Sequence, residues 1–187
     1  VELSFQGQWV LSEAGTSIYG NGPERAYERS GAAHNVLQLG LADSLGEIQW
    51  IEPVEVWGGF RAARKAQPRD RQSGLLSHDW CFAAGSHDGF DRIGASHLRR
   101  VQFSDARPNQ ITLTVDEMVN NRRSLHFRQW WHLAPGIPNE LLDGLAFEAP
   151  TAADIRTSWH TTWFAEGFGQ RTPRQTFCVS GRLPPGE

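Results

Sequence analysis

Lys65 is the only lysine, and with it stand just two cysteines, two tyrosines and one methionine in 187 residues. Each scarcity narrows the field. Cys81 and Cys178 are far apart and in no CxxC spacing, which excludes a zinc knuckle and a dithiol redox motif. Two buried free thiols are the simplest reading, with a disulfide open to an exported protein. No apolar stretch approaches the roughly 20 residues needed to cross a bilayer. Excess positive charge is also missing. At a net charge of -3 the chain is no candidate for nucleic-acid binding driven by counterion release. Its cations are nearly all guanidinium, which suits bidentate contacts to carboxylate or sulfate and equally follows from genome composition.

A sustained helical period is absent too, and strand-like segments recur between turn signals. Ile111, Leu113 and Val115 alternate with Thr112 and Thr114, the pattern of a strand with one buried face. Leu125, Phe127, Trp131 and Leu133 share one parity, interrupted by Gln129. His126, Arg128, Trp130 and His132 share the other and predict a polar, aromatic-bearing outer face. Trp159 to Phe164 reads as another strand, as do Val36 to Leu39, Gly46 to Trp50 and Val101 to Phe103. Turns are expected at Gly20-Asn21-Gly22-Pro23, Arg107-Pro108-Asn109, Pro135-Gly136-Ile137-Pro138 and Leu183-Pro184-Pro185-Gly186. Ala62 to Ser77, rich in Arg, Gln and Asp, reads as a long mobile loop. Pro150 to Ile155 reads as one helical turn capped by Thr151. The expectation is an all-β chain, residues 1–187 forming one two-sheet antiparallel β-sandwich.

Chemistry concentrates between Gly15 and Arg64. His34 follows two alanines and precedes Asn35, so small neighbours leave room for a ligand beside an imidazole that titrates near neutrality. The alternative is a histidine that caps a turn or bonds a carbonyl. Arg29, five residues earlier, is placed to grip an acidic group or to pair with Glu24 or Glu28. Ser30 with His34 makes no hydrolase triad, because no Gly-x-Ser-x-Gly elbow surrounds a serine. Exposed Trp57, Trp130 or Trp159 would instead suit stacking on sugar rings, although core packing is the usual fate of tryptophan.

The Gly15-Thr16 turn, the Arg29 to Asn35 core and the Val56 to Arg61 stretch together resemble the sandwich domain of the heparinase II/III-like polysaccharide lyases. So do the His87 and His97 segments, Trp131 to Pro135, and the Phe168-Gly169 turn. Gly31 and Phe90 stand where that family usually has threonine and tyrosine.

The resemblance implies the C-terminal part of a longer lyase that cleaves uronate-containing polysaccharide by β-elimination in the periplasm or cell envelope. It assigns a catalytic role to His34 and substrate contacts to Arg29 and Asn35, in a cleft shared with an N-terminal helical toroid that carries the acid/base tyrosine. Tyr19 and Tyr27 then fall at structural positions. The resemblance also implies no certain cofactor, but a possible structural divalent metal, zinc or calcium, with His87 as a remnant ligand beside Glu52 or Glu55. The metal-bearing branch has a ligand where this chain has Val36. The rival reading is a non-catalytic carbohydrate-binding or structural sandwich. A stripe of exposed tryptophans would favour it.

Overall fold

The computed structural model describes residues 1–107, 110–138, 147–149 and 152–186. In chain order the first elements are β1 (Leu3–Phe5), β2 (Gln8–Leu11), helix α1 (Pro23–Glu28), β3 (Leu37–Ala42), β4 (Ile48–Ile51), β5 (Val54–Trp57) and β6 (Arg61–Lys65). There follow β7 (Pro68–Ser77), β8 (Trp80–His87), β9 (Ala95–Arg107), β10 (Gln110–Asn121), β11 (Leu125–His132), β12 (Ala153–Phe164) and β13 (Thr172–Leu183). No helix among them is long and apolar enough to cross a membrane.

Two antiparallel sheets form a β-sandwich. One runs β12-β13-β11-β3-β4 and the other β10-β9-β8-β7, while β1-β2 and β5-β6 are separate hairpins. Register decides what the first sheet turns inward. Leu39 and Gly181 flank Phe127, and Leu37 and Val179 flank Gln129, so these residues share the inner face. Leu37, Leu39, Leu125, Phe127 and Val179 pack with Phe90, Ile93 and Ala95, and partly buried Val119 joins from β10. A second cluster places Leu11, Trp131 and Leu133 against Leu113 and Val115.

Alternation predicts β10 well: Ile111, Leu113 and Val115 are half-buried while Thr112 and Thr114 are exposed. The Trp159 to Phe164 reading lies within β12. The Pro135-Gly136 turn forms as expected, Ile137 N donating to Ala134 O at 3.2 Å.

Three expectations need correction. Residues 62–77 are not a loop but most of β6 and β7. Every residue of β7 is exposed, so no apolar alternation marks it, and antiparallel pairing with β8 holds it extended. The helical turn after Pro150 gives way to strand from Ala153, where pairing with Arg182 opens the β12-β13 ladder; Pro150, Thr151, Pro108 and Asn109 lie outside the described residues. Of the thiols, Cys178 is buried but Cys81 is exposed, and both are free. Burial pushes the Cys178 thiol up to about 11.

Candidate functional site at the sandwich edge

The even-parity face of β11 is not the open surface that its polar residues suggest. Trp130 and His132 are buried: residues 12–35 fold across the His132 end of this face, while Trp130 meets Gln38 and His160. The polar side chains are the ligands that hold that cover down. Arg174, 2% exposed, donates from Nη1 to Ser12 O at 2.7 Å and Glu13 O at 3.1 Å, and from Nη2 to Ala33 O at 3.4 Å. Trp130 Nε1 donates to Gln38 Oε1 at 2.7 Å. Gln38 Nε2 donates in turn to Glu52 Oε1 at 2.9 Å, and the same carboxylate caps Gly31 N at 3.0 Å.

Gly15 begins the cover in a conformation few other residues adopt, φ 72°. A Cβ there would lie 2.2 Å from Ala165 O, across the bridge that joins the two segments. Gly15→Ala is therefore expected to cost about 1–3 kcal/mol, read as a lowered urea midpoint.

His34 emerges at the end of this cover, its side chain 37% exposed. Nδ1 lies 2.6 Å from Glu13 Oε2 and Nε2 lies 3.1 Å from the Glu28 carbonyl. Both neighbours are acceptors, so both bonds are made together only by the doubly protonated ring. Burial works to raise the Glu13 carboxyl, but the His34 hydrogen bond and the neighbouring positive charges outweigh it and hold Glu13 near about 2. The result is an anchored imidazole on a partly exposed edge.

Asn35 is 0% exposed. Its Nδ2 donates to Val1 O at 2.8 Å and Ser12 O at 3.2 Å, and its Oδ1 accepts from His132 N at 2.6 Å. Both amide atoms are thus engaged internally, beside His34. Arg29 pairs with neither Glu24 nor Glu28; it donates to Gly58 O at 2.7 Å and Arg61 O at 3.2 Å, tying α1 to the β5-β6 hairpin. Arg25 pairs with Glu28 instead, at 3.5 Å. Arg29 still lines an open groove of about 490 Å³.

His87 sits apart from these residues, against Phe90 and His97, with Nδ1 accepting from Gly89 N at 3.0 Å. Burial, then the nearby His97, lowers its basicity. Its proposed co-ligands are engaged elsewhere: Glu52 on Gly31 and Gln38, and Glu55 on the Trp57 indole at 2.8 Å. No group of three metal-ligating side chains occurs among the described residues, so these residues do not fit a divalent ion.

Tyr27 packs on Trp163 with ring centroids 4.5 Å apart, whereas Tyr19 is 56% exposed. Trp57 and Trp159 are exposed but lie on different sheets, and Trp130 is buried, so the three form no stripe.

Several contributors gave no local signal in the chain. Glu13 meets His34 from 21 residues away. Across the sandwich, Arg99 Nη1 donates to Asn35 O at 2.6 Å while its Nε donates to Glu117 Oε1 at 2.8 Å, and His97 Nε2 lies 2.6 Å from Glu117 Oε2. Burial would raise Glu117, but His97 and Arg99 more than offset it and keep the carboxyl below its ordinary range. Gln129 breaks the apolar parity of β11 because it faces this ion pair. With its amide nitrogen toward Glu117 it donates at 2.8 Å, and its oxygen accepts from Arg99 at 3.2 Å.

His132, 0% exposed, rests on Thr176 at 2.8 Å and stacks on Trp130. Burial, reinforced by the Arg174 charge, lowers its pKa to about 3. The unfolded imidazole titrates near 6.5, so between these values the unfolded chain binds the extra proton. Stability from neutral His132 is complete above about 6.5 and declines as pH falls toward about 3. Between about pH 6.5 and pH 5 this amounts to about 2 kcal/mol. Urea midpoints should fall over that interval in the native chain and fall less in His132→Gln.

The sequence matches the family described as Heparinase II/III-like, C-terminal, over residues 1–186. No curated protein matches it. Among solved structures, the heparan sulfate lyase HepC from Pedobacter heparinus superposes with a TM-score of 0.62 at 12% identity, covering 99% of this chain and 28% of that one. A heparinase III gene product gives 0.63 at 12% identity, covering 100% of this chain and 27% of its own. The chain thus spans little more than a quarter of these neighbours, whose likeness supports the sandwich fold. With the match running through the Gly15 turn, the His34 core and both sheets, the chain belongs to the heparinase II/III-like C-terminal family.

Proposed function

We propose that this sandwich contributes His34 to the cleft of a polysaccharide lyase that cuts uronate-containing chains by β-elimination. The observation that carries this reading is the anchored, partly exposed imidazole between Glu13 and the Glu28 carbonyl. An N-terminal helical toroid of the same parent chain supplies the other cleft wall and the acid/base tyrosine. The same reading puts the parent in the periplasm or cell envelope.

In the reaction the toroid tyrosine, as base, takes the C5 proton, and the C5–H electron pair becomes the C4=C5 double bond. The C4–O4 bond breaks, its electron pair stays on O4, and O4 takes a proton from the same tyrosine. Negative charge developing at C5 spreads onto the uronate carboxylate, so a cation or strong donor there lowers the barrier. His34 can supply one. A carboxylate reaching Nε2 replaces the neutral Glu28 carbonyl with an anion, a stronger partner for the same N–H. Glu13 keeps the ring oriented through Nδ1 while that exchange takes place. Asn35, clamped from both sheets, fixes the main chain beside it.

Mass spectrometry of products from the full-length protein and a panel of acidic polysaccharides tests the reading. Elimination gives fragments whose summed mass equals that of the substrate, whereas hydrolysis adds one water per cut. Fragments carrying that water, or no fragments from any uronate polymer, contradict the reading.

A further inference from the structure

The segment that carries His34 is held from the opposite sheet as well as from its own. Arg99, on β9, donates from Nη1 to the Asn35 carbonyl at 2.6 Å. The same guanidinium turns Nε and Nη2 to Glu117 Oε1 on β10, the Nε bond being 2.8 Å. His97 Nε2 meets the other oxygen of that carboxylate at 2.6 Å. Gln129 closes the set from β11: with its nitrogen toward Glu117 it donates at 2.8 Å and accepts from Arg99 Nη2 at 3.2 Å. Around His34 itself the main chain has short-range support, His34 N donating to Gly31 O at 3.2 Å and Val36 N to His34 O at 2.9 Å. The Asn35 amide reaches Ser12 O and His132 N, in the cover and the five-stranded sheet. Arg99 ties the segment to the four-stranded sheet.

A divalent ion would need this place to be built differently. Val36 stands where the metal-bearing branch has a ligand, and its carbonyl accepts from Trp130 N at 3.1 Å. His87 Nδ1 accepts from Gly89 N, and both oxygens of Glu117 are taken by N–H donors. An ion entering at that carboxylate would meet a guanidinium already in place, and two cations on one largely buried carboxylate repel each other. A planar fork suits one carboxylate and one carbonyl at once, and its charge is permanent.

We infer that Arg99 is a positioning residue for His34: oriented by Glu117, it anchors the Asn35 carbonyl across the sandwich and takes with a guanidinium the structural part that the resemblance gives to a divalent ion. The inference rests on the lyase reading for what His34 does, but the anchor itself is read without turnover. Amide exchange in the full-length protein, followed by mass spectrometry on peptides spanning residues 33–37, is the test. Arg99→Gln is expected to speed exchange at the His34 and Val36 amides about tenfold or more, with Arg99→Lys in between because a point charge cannot serve Glu117 and Asn35 together. Arg99→Met with Glu117→Leu leaves no unpaired carboxylate behind and should loosen the same amides while β13 keeps its protection. A chelator should leave exchange in the native protein unchanged, and added zinc or calcium should not restore Arg99→Gln.

Native-like exchange at these amides in the double variant, or native exchange that a chelator speeds, overturns the inference. With turnover, Arg99→Gln is expected to lower kcat about tenfold with KM little changed, and to add nothing to the loss in His34→Ala. An equal fall in both backgrounds makes Arg99 a general support of the fold and overturns the positioning role. Faster exchange in the variants of a protein that yields no elimination products would sink the lyase reading alone.

Discussion

Glu117→Ala is expected to lower the stability of the sandwich by about 3–5 kcal/mol, because it strands the Arg99 guanidinium and leaves the His97 ring without its partner between the sheets. Arg99 and His97 both bond this carboxylate, and their side chains are 15% and 8% exposed. Water can solvate neither well once the carboxylate is gone. The pair was never a large net gain over apolar packing, so removing both sides should cost less than the sum of the single changes. Arg99→Met with Glu117→Leu is thus expected to be milder than additive. A urea denaturation cycle over the four proteins reads the coupling directly, and simple additivity would show that the ion pair is not energetically linked. Arg99→Met carries a second consequence, since its Nη1 no longer holds the Asn35 carbonyl next to His34.

His34→Ala in the full-length protein is expected to reduce kcat/KM by about 10²–10⁴, the usual range for losing one group that acts on a proton or a developing charge. The fall should appear mainly in kcat. Charge at the carboxylate grows in the transition state, so an interaction with it matters more there than in the ground state. Stability should change little by comparison, because the ring is 37% exposed and the cover is held by Arg174 and Asn35. A variant that lost activity only by unfolding would instead lose its urea transition.

The contrast between what the chain announces and what it conceals follows from which contacts are local. β10 is readable because Ile111, Leu113 and Val115 face a core while the intervening threonines face water. β7 is not, since both of its faces are exposed and its extended form comes from pairing with β8. The even face of β11 misleads for the opposite reason. His132 and Trp130 are polar-tipped residues that a surface would accept, yet both are buried, His132 under a cover that arrives from residues 12–35 and Trp130 against Gln38 and His160.

The Arg29 to Asn35 core was visible from its residue types and its likeness to a known family. Its internal wiring was not: Asn35 spends both amide atoms on Ser12, Val1 and His132, and His34 finds Glu13, contacts fixed only when distant segments close.

The most direct measurement is the ultraviolet absorbance of unsaturated uronate, followed as initial rates with acidic polysaccharides for the full-length protein and its His34→Ala variant side by side. Product is expected from the native protein, with a signal reduced about a hundredfold or more in the folded variant. A folded variant that matches the native rate would remove His34 from the site and contradict the central claim.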